Sequence, residues 1–68
     1  MKYTVVIEKA NGNYSAYLPD VPGCVATGKT RLQVLQRMRT ALAMHLEGLR
    51  EDGIGIPRPQ ARADLIEV

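Results

Sequence analysis

Phenylalanine and tryptophan are absent from this 68-residue chain, and three tyrosines are its only aromatic side chains. The core therefore has to be aliphatic, built from Val, Leu, Ile, Met and Ala. A single cysteine, Cys24, excludes an internal disulfide and any multi-cysteine zinc site. No apolar run is long enough for a signal peptide or a bilayer span, so a cytoplasmic protein with no membrane partner is expected. Acids are missing from residues 21–46, which hold Lys29, Arg31, Arg37 and Arg39. That stretch carries +4, while the remainder has seven acids against five bases, so the overall charge of +2 conceals a local basic face. A chain this short forms one domain over residues 1–68. Such a domain buries only ~60% of its unfolded surface, which makes a homo-oligomer, dimer or higher, a natural source of extra stability.

What is present is dominated by Pro19-Asp20-Val21-Pro22-Gly23-Cys24, a rigid corner. Two prolines fix φ twice, and Gly23 allows a backbone shape that other residues resist. Residues 2–8 alternate as a first strand, with Tyr3, Val5 and Ile7 on one face and Lys2, Thr4, Val6 and Glu8 on the other. Asn11-Gly12 is a strong hairpin signal, and a second strand at 14–18 follows it. A third strand at about 23–27 leaves the corner.

Thr30 reads as a helix N-cap, with Gln33 three residues on completing a capping box. The helix is expected over about 31–52. Leu32, Leu35, Met38, Leu42, Leu46 and Leu49 draw its apolar stripe, flanked by Val34, Ala41 and Met44. Gly53 is the expected left-handed residue after its end. Residues 54–59 are extended because each residue before a proline avoids the helical region, with Ile54 and Ile56 expected as core anchors. Residues 63–68 alternate weakly and read as a last strand. The fold class is thus α+β: two layers, order β-β-β-α-β, an antiparallel sheet with one helix packed on one face.

Chemistry is scarce. His45 stands in the helix with no visible partner, and a partly buried or surface helix histidine is the simpler account. One His, one Cys and scattered carboxylates show no metal-ligand spacing, and no cofactor is expected. Gly28-Lys29-Thr30 is not a phosphate-binding loop, because the upstream glycine spacing is wrong. Lys29, Arg31, Arg37 and Arg39 are candidate nucleic-acid contacts, to be weighed against an ordinary solvated helix face. A binding protein is the expected class, not an enzyme, with a residual hydrolase the remotest alternative.

The segments 1–8, 14–24 and 26–30, together with the helix end Leu49-Arg50-Glu51-Asp52-Gly53 and Ile56-Pro57-Arg58-Pro59, resemble the HicB-like antitoxin family over nearly the whole chain. The resemblance implies a degenerate ribonuclease-H-like or double-stranded-RNA-binding-like fold. It also implies an antitoxin that neutralises a HicA-like, mRNA-cleaving toxin by protein–protein contact. Many family members carry a second, DNA-binding domain; the chain resembles a small single-domain member without it. It departs from the family in the basic start of its helix, Arg31-Leu32-Gln33. That inversion fits the alternative, a small RNA- or DNA-binding protein. Tyr17, Asp20, Val21, Pro22 and Gly23 are the expected partner-binding residues.

Overall fold

Asn11 and Gly12 both adopt positive φ, 47° and 76°. Two consecutive left-handed residues make the tight turn that matches strand twist, and Asn and Gly accept that conformation most readily. The turn sets the register of the first hairpin. In the computed structural model, which describes all 68 residues, β1 (Val6–Ala10) pairs antiparallel with β2 (Asn13–Tyr17), from Ala10 opposite Asn13 to Val6 opposite Tyr17. β3 (Val25–Gly28) pairs antiparallel with the other side of β2, giving the sheet order β1-β2-β3. A single helix, α1 (Arg31–Glu51), follows.

The pairing places Ile7, Ala16 and Ala26 in one row on the face beneath the helix, and Val6, Tyr17 and Val25 in a row on the opposite face. The inner row is small-sided where α1 crosses β2 and β3, and Gly28 takes this to the limit. A β-carbon on Gly28 would stand 2.9 Å from the Val34 amide nitrogen. Val34 is the residue that fits there, and it is fully buried. With Met38 one turn on, it joins Ala16, Leu18, Val21 and Cys24 in the core, against which Tyr3, Val5, Ile7 and Leu42 pack.

Both helix ends are closed as the sequence predicts. The Gln33 N–H donates to Thr30 Oγ1 at 3.0 Å. The Gln33 side chain reaches back one residue further than a standard capping box, accepting from the Lys29 N–H at 2.7 Å. At the other end Gly53 has φ 70°. The Ile54 N–H reaches Leu49 O, and the Gly53 N–H reaches Arg50 O. This pair of bonds satisfies two carbonyls that would otherwise be orphaned.

Three expectations are corrected. The buried face is centred on Met38, within the expected stripe, and Val34 on its flank, and not on the stripe's leucines: Leu32 is 66% exposed, and Leu35, Leu42, Leu46 and Leu49 are only half-buried. For Leu46 and Leu49 the cause is geometric. A 21-residue helix is about 31 Å long, whereas five-residue strands span about 17 Å, so the last turns overhang the sheet. Ile54 is exposed and anchors nothing, and Ile56 is half-buried. No last strand forms over 63–68. No backbone–backbone hydrogen bond involves any residue beyond Ile54, so no ladder holds 63–68. Residues 55–68 are an arm.

Two glycines give opposite predictions. Gly28→Ala is expected to lower unfolding free energy by about 1–3 kcal/mol, because helix backbone must move aside. Gly48, within the helix with nothing within 4 Å of its would-be β-carbon, is expected to gain up to about 1 kcal/mol as alanine. Urea unfolding of both variants checks the pair.

Candidate partner-binding surface

The row Val6, Tyr17 and Val25 lies on the sheet face that no helix covers. Tyr17 is 44% exposed and Val25 65%. Glu8, Ser15 and Thr27 form the adjoining row, all exposed. An exposed aromatic and an exposed β-branched residue beside half-buried Val6 and one acid are a cost in an isolated domain and a ready contact for a partner.

The corner beside this face is built from two successive turns. The Val21 N–H donates to Leu18 O at 3.1 Å, and the Cys24 N–H to Val21 O at 3.2 Å. Pro22 and Gly23, with φ 86° at Gly23, supply the geometry of the second turn. The turns direct Leu18, Val21 and Cys24 inward, and Val21 is 1% exposed. Val21 therefore packs the core and has no side-chain surface to offer a partner, contrary to its place among the contact candidates. Pro22 and Gly23 are exposed at the tip.

Asp20 has a role that sequence reasoning missed. Its Oδ2 accepts the backbone N–H groups of Gln60 and Ala61, both at 2.9 Å. Thr4 Oγ1 donates to Ala61 O at 2.6 Å, and the Tyr3 hydroxyl donates to Pro57 O. These three side chains hold the arm. No local pattern could have marked them, since each contact spans at least 40 positions. An acid placed between two prolines at a corner was the one available hint.

The four cations do not form one patch. Lys29 and Arg37 border a polar hollow of about 410 Å³ with Asn13, Thr27 and Gln33, and Arg37 donates to Thr27 O at 2.9 Å. Arg39, about 200° further round the helix, lines a different groove beside Lys2. Arg31 is exposed at the first helical position and borders neither.

Cys24 sits with its sulfur 3.7 Å from the Met38 sulfur, and burial pushes its thiol up from the ordinary value. A nucleophilic cysteine needs the opposite shift. His45 is half-buried and makes no side-chain hydrogen bond, and no group of three His, Cys, Asp or Glu residues could hold a metal ion. No helix is long and apolar enough to cross a membrane.

Comparison with known proteins gives this geometry a context. The family described as "HicB_like antitoxin of bacterial toxin-antitoxin system" matches residues 3–67. A UPF0150 protein of Thermoplasma acidophilum is 39% identical over 62 residues, 90% of each chain. A protein of Haemophilus phage HP1, described as an uncharacterized 14.9 kDa protein in the rep-hol intergenic region, is 38% identical over 58 residues. Those residues are 85% of this chain but 44% of the phage protein, so the chain spans less than half of that relative. Among solved structures, a chain of the "HicA3 and HicB3 toxin-antitoxin complex" superposes with a TM-score of 0.73 at 30% identity. The match covers 87% of this chain and 70% of the other. The chain belongs to the HicB-like antitoxin family.

Two outcomes test the local chemistry. Asp20→Ala is expected to speed amide exchange at Gln60 and Ala61 by at least about tenfold while leaving the amides of α1 unchanged, read by NMR. A raised thiol value means that the unfolded chain loses the Cys24 proton first. The stabilising contribution is then complete below about pH 8.5 and is lost as pH rises through the folded value. The urea midpoint of the native chain should fall over that range more steeply than that of Cys24→Ala.

Proposed function

We propose that this member of the HicB-like antitoxin family neutralises a HicA-like, mRNA-cleaving toxin by laying the open face of its sheet against it. The observation that carries the reading is the exposure of Tyr17 and Val25, in one row with half-buried Val6, on the sheet face that no helix covers. The likeness to a chain of a HicA–HicB complex supports a toxin as the partner. Tyr17 is the central anchor: a rigid aromatic with a polar tip gives much contact area for little ordering cost, and such residues dominate binding energy. Pro22 and Gly23 form the rim at one end, and Asp20 contributes by fixing the arm behind them. Glu8 supplies negative charge on the same face, suited to the basic surface of an RNA-cutting protein. An interface of ~1,600 Å² would be ordinary for this role. The site of action is the cytoplasm, where messenger RNA is cut.

The activity is binding and not catalysis. The buried thiol is set against nucleophilic use, and His45 has no residue to orient it.

A second reading rests on the polar hollow, which carries Lys29 and Arg37 and no acid. Its chemistry suits a phosphate of RNA or DNA. Arg31 and Arg39 lie outside it, which leaves the nucleic-acid reading two cations where four were expected.

Co-expression with the toxin from a neighbouring reading frame separates the two. Under the first reading the native chain restores growth and co-purifies with the toxin, and Tyr17→Glu weakens the complex by about 30-fold or more. Recovery of no toxin, together with salt-sensitive RNA binding that Arg37→Glu abolishes, would transfer the assignment to the second.

A further inference from the structure

Beyond Ala61 the arm turns strongly apolar at its surface: Leu65 and Val68 are fully exposed and Ile66 nearly so. None of them touches the core, and no backbone ladder holds the segment. The molecule is correspondingly drawn out, 42 Å along one axis against 16 Å along another. Its radius of gyration of 13.1 Å exceeds the roughly 11 Å of a compact chain this long.

Elsewhere on the surface lies an unfilled apolar groove of about 500 Å³. It runs between the N-terminal segment and α1, floored by Val5, Leu35, Met38 and Leu42, with Lys2 and Arg39 at its rim. Its wall on the sheet side is Met1, Lys2, Tyr3 and Val5, the residues that lead into β1, which is an outer strand of the sheet. A strand laid there would meet free main-chain groups along the edge and apolar side chains beneath.

We propose that residues 64–68 fill this groove on a second copy of the chain, each copy giving its arm to the other. Charge supports the fit. Asp64 and Glu67 flank the apolar pair Leu65-Ile66, and the groove rim is basic. The Glu47–Arg50 ion pair is the only one in the chain, so all four of these rim and arm charges are unpaired.

The path of the arm selects the second copy over the arm's own groove. Tyr3 and Val5 pack on the helix side, so Thr4 between them faces the open side. The arm passes from Tyr3 at Pro57 to Thr4 at Ala61 and crosses the sheet edge as it goes. Asp20 then fixes it on the far side at Gln60 and Ala61. To enter its own groove the segment would have to double back across that edge immediately after Ala61. Seven further residues extend up to about 23 Å outward, enough to reach a neighbour. A reciprocal exchange closes on itself as a two-fold dimer.

This dimer involves no toxin, so its test is separate from that of the antitoxin reading. In a Cys24→Ala background, chains carrying Ile66→Cys are mixed with chains carrying Arg39→Cys and oxidised. A disulfide-linked mixed dimer on a non-reducing gel is expected. Failure of that product overturns the proposal, as does a double variant, Ile66→Cys with Arg39→Cys, that closes only within single chains. By sedimentation the native chain is expected to be a dimer at micromolar concentration. Leu65→Asp with Ile66→Asp should raise the dissociation constant at least about tenfold without changing far-ultraviolet circular dichroism. Full dimerisation of that variant would also overturn the proposal.

Discussion

A β-carbon at Gly28 would come 2.9 Å from the helix backbone at Val34, and the distance between the two layers is fixed by that absence. With α1 this close to β3, only a short branched side chain fits beneath it, and Val34 is there. Met38 then falls over Ala16 and Cys24, and its flexible thioether takes up the irregular space left by small neighbours. The corner supplies the remaining wall through Leu18 and Val21. Seven residues of 68 are buried, so the domain has little reserve, and a shift at this one contact would be felt throughout.

The sequence made the elements legible where the signal was local. Asn11-Gly12, Thr30 with Gln33, and Gly53 each prescribe a backbone shape within four residues, and each is found in place. The helix face was harder, because period alone offers two overlapping stripes. The sheet beneath is Ala- and Gly-lined, and it keeps Met38 of the expected stripe and takes Val34 from its flank in place of the leucines. The strand starts moved, by four residues for 2–8 and by two for 23–27, for a similar reason: pairing partners, not propensity, decide where a ladder begins. The missing last strand was the main error. Residues 63–68 alternate weakly, and alternation alone does not bring a segment to an edge: the last bonds that hold the arm to the domain are at Gln60 and Ala61.

The candidate surface was legible only in part. Tyr17 could be placed on the outer face from alternation, and the structure adds Val6 and Val25 on either side of it. The corner was conspicuous for its prolines, yet its residues divide three ways: Val21 inward, Pro22 and Gly23 outward, and Asp20 sideways onto a segment 40 positions distant. The basic stretch was continuous in sequence and is split in space, because Arg37 and Arg39 project from opposite flanks of one helix. The two sides of the sheet are thus differently equipped: one bears an apolar row beside an acid, and the other a groove rimmed with bases.

Tyr3, Thr4 and Asp20 share a property with a wider effect. Every atom they grip in residues 57–61 belongs to the main chain: the carbonyls of Pro57 and Ala61 and the amides of Gln60 and Ala61. The hold is therefore indifferent to which side chains the gripped segment carries, save that positions 60 and 61 must keep an N–H. Arg58, Gln60 and Arg62 are free to vary without loosening it. The domain can thus change the chemistry it presents along that strip while its frame stays unaltered.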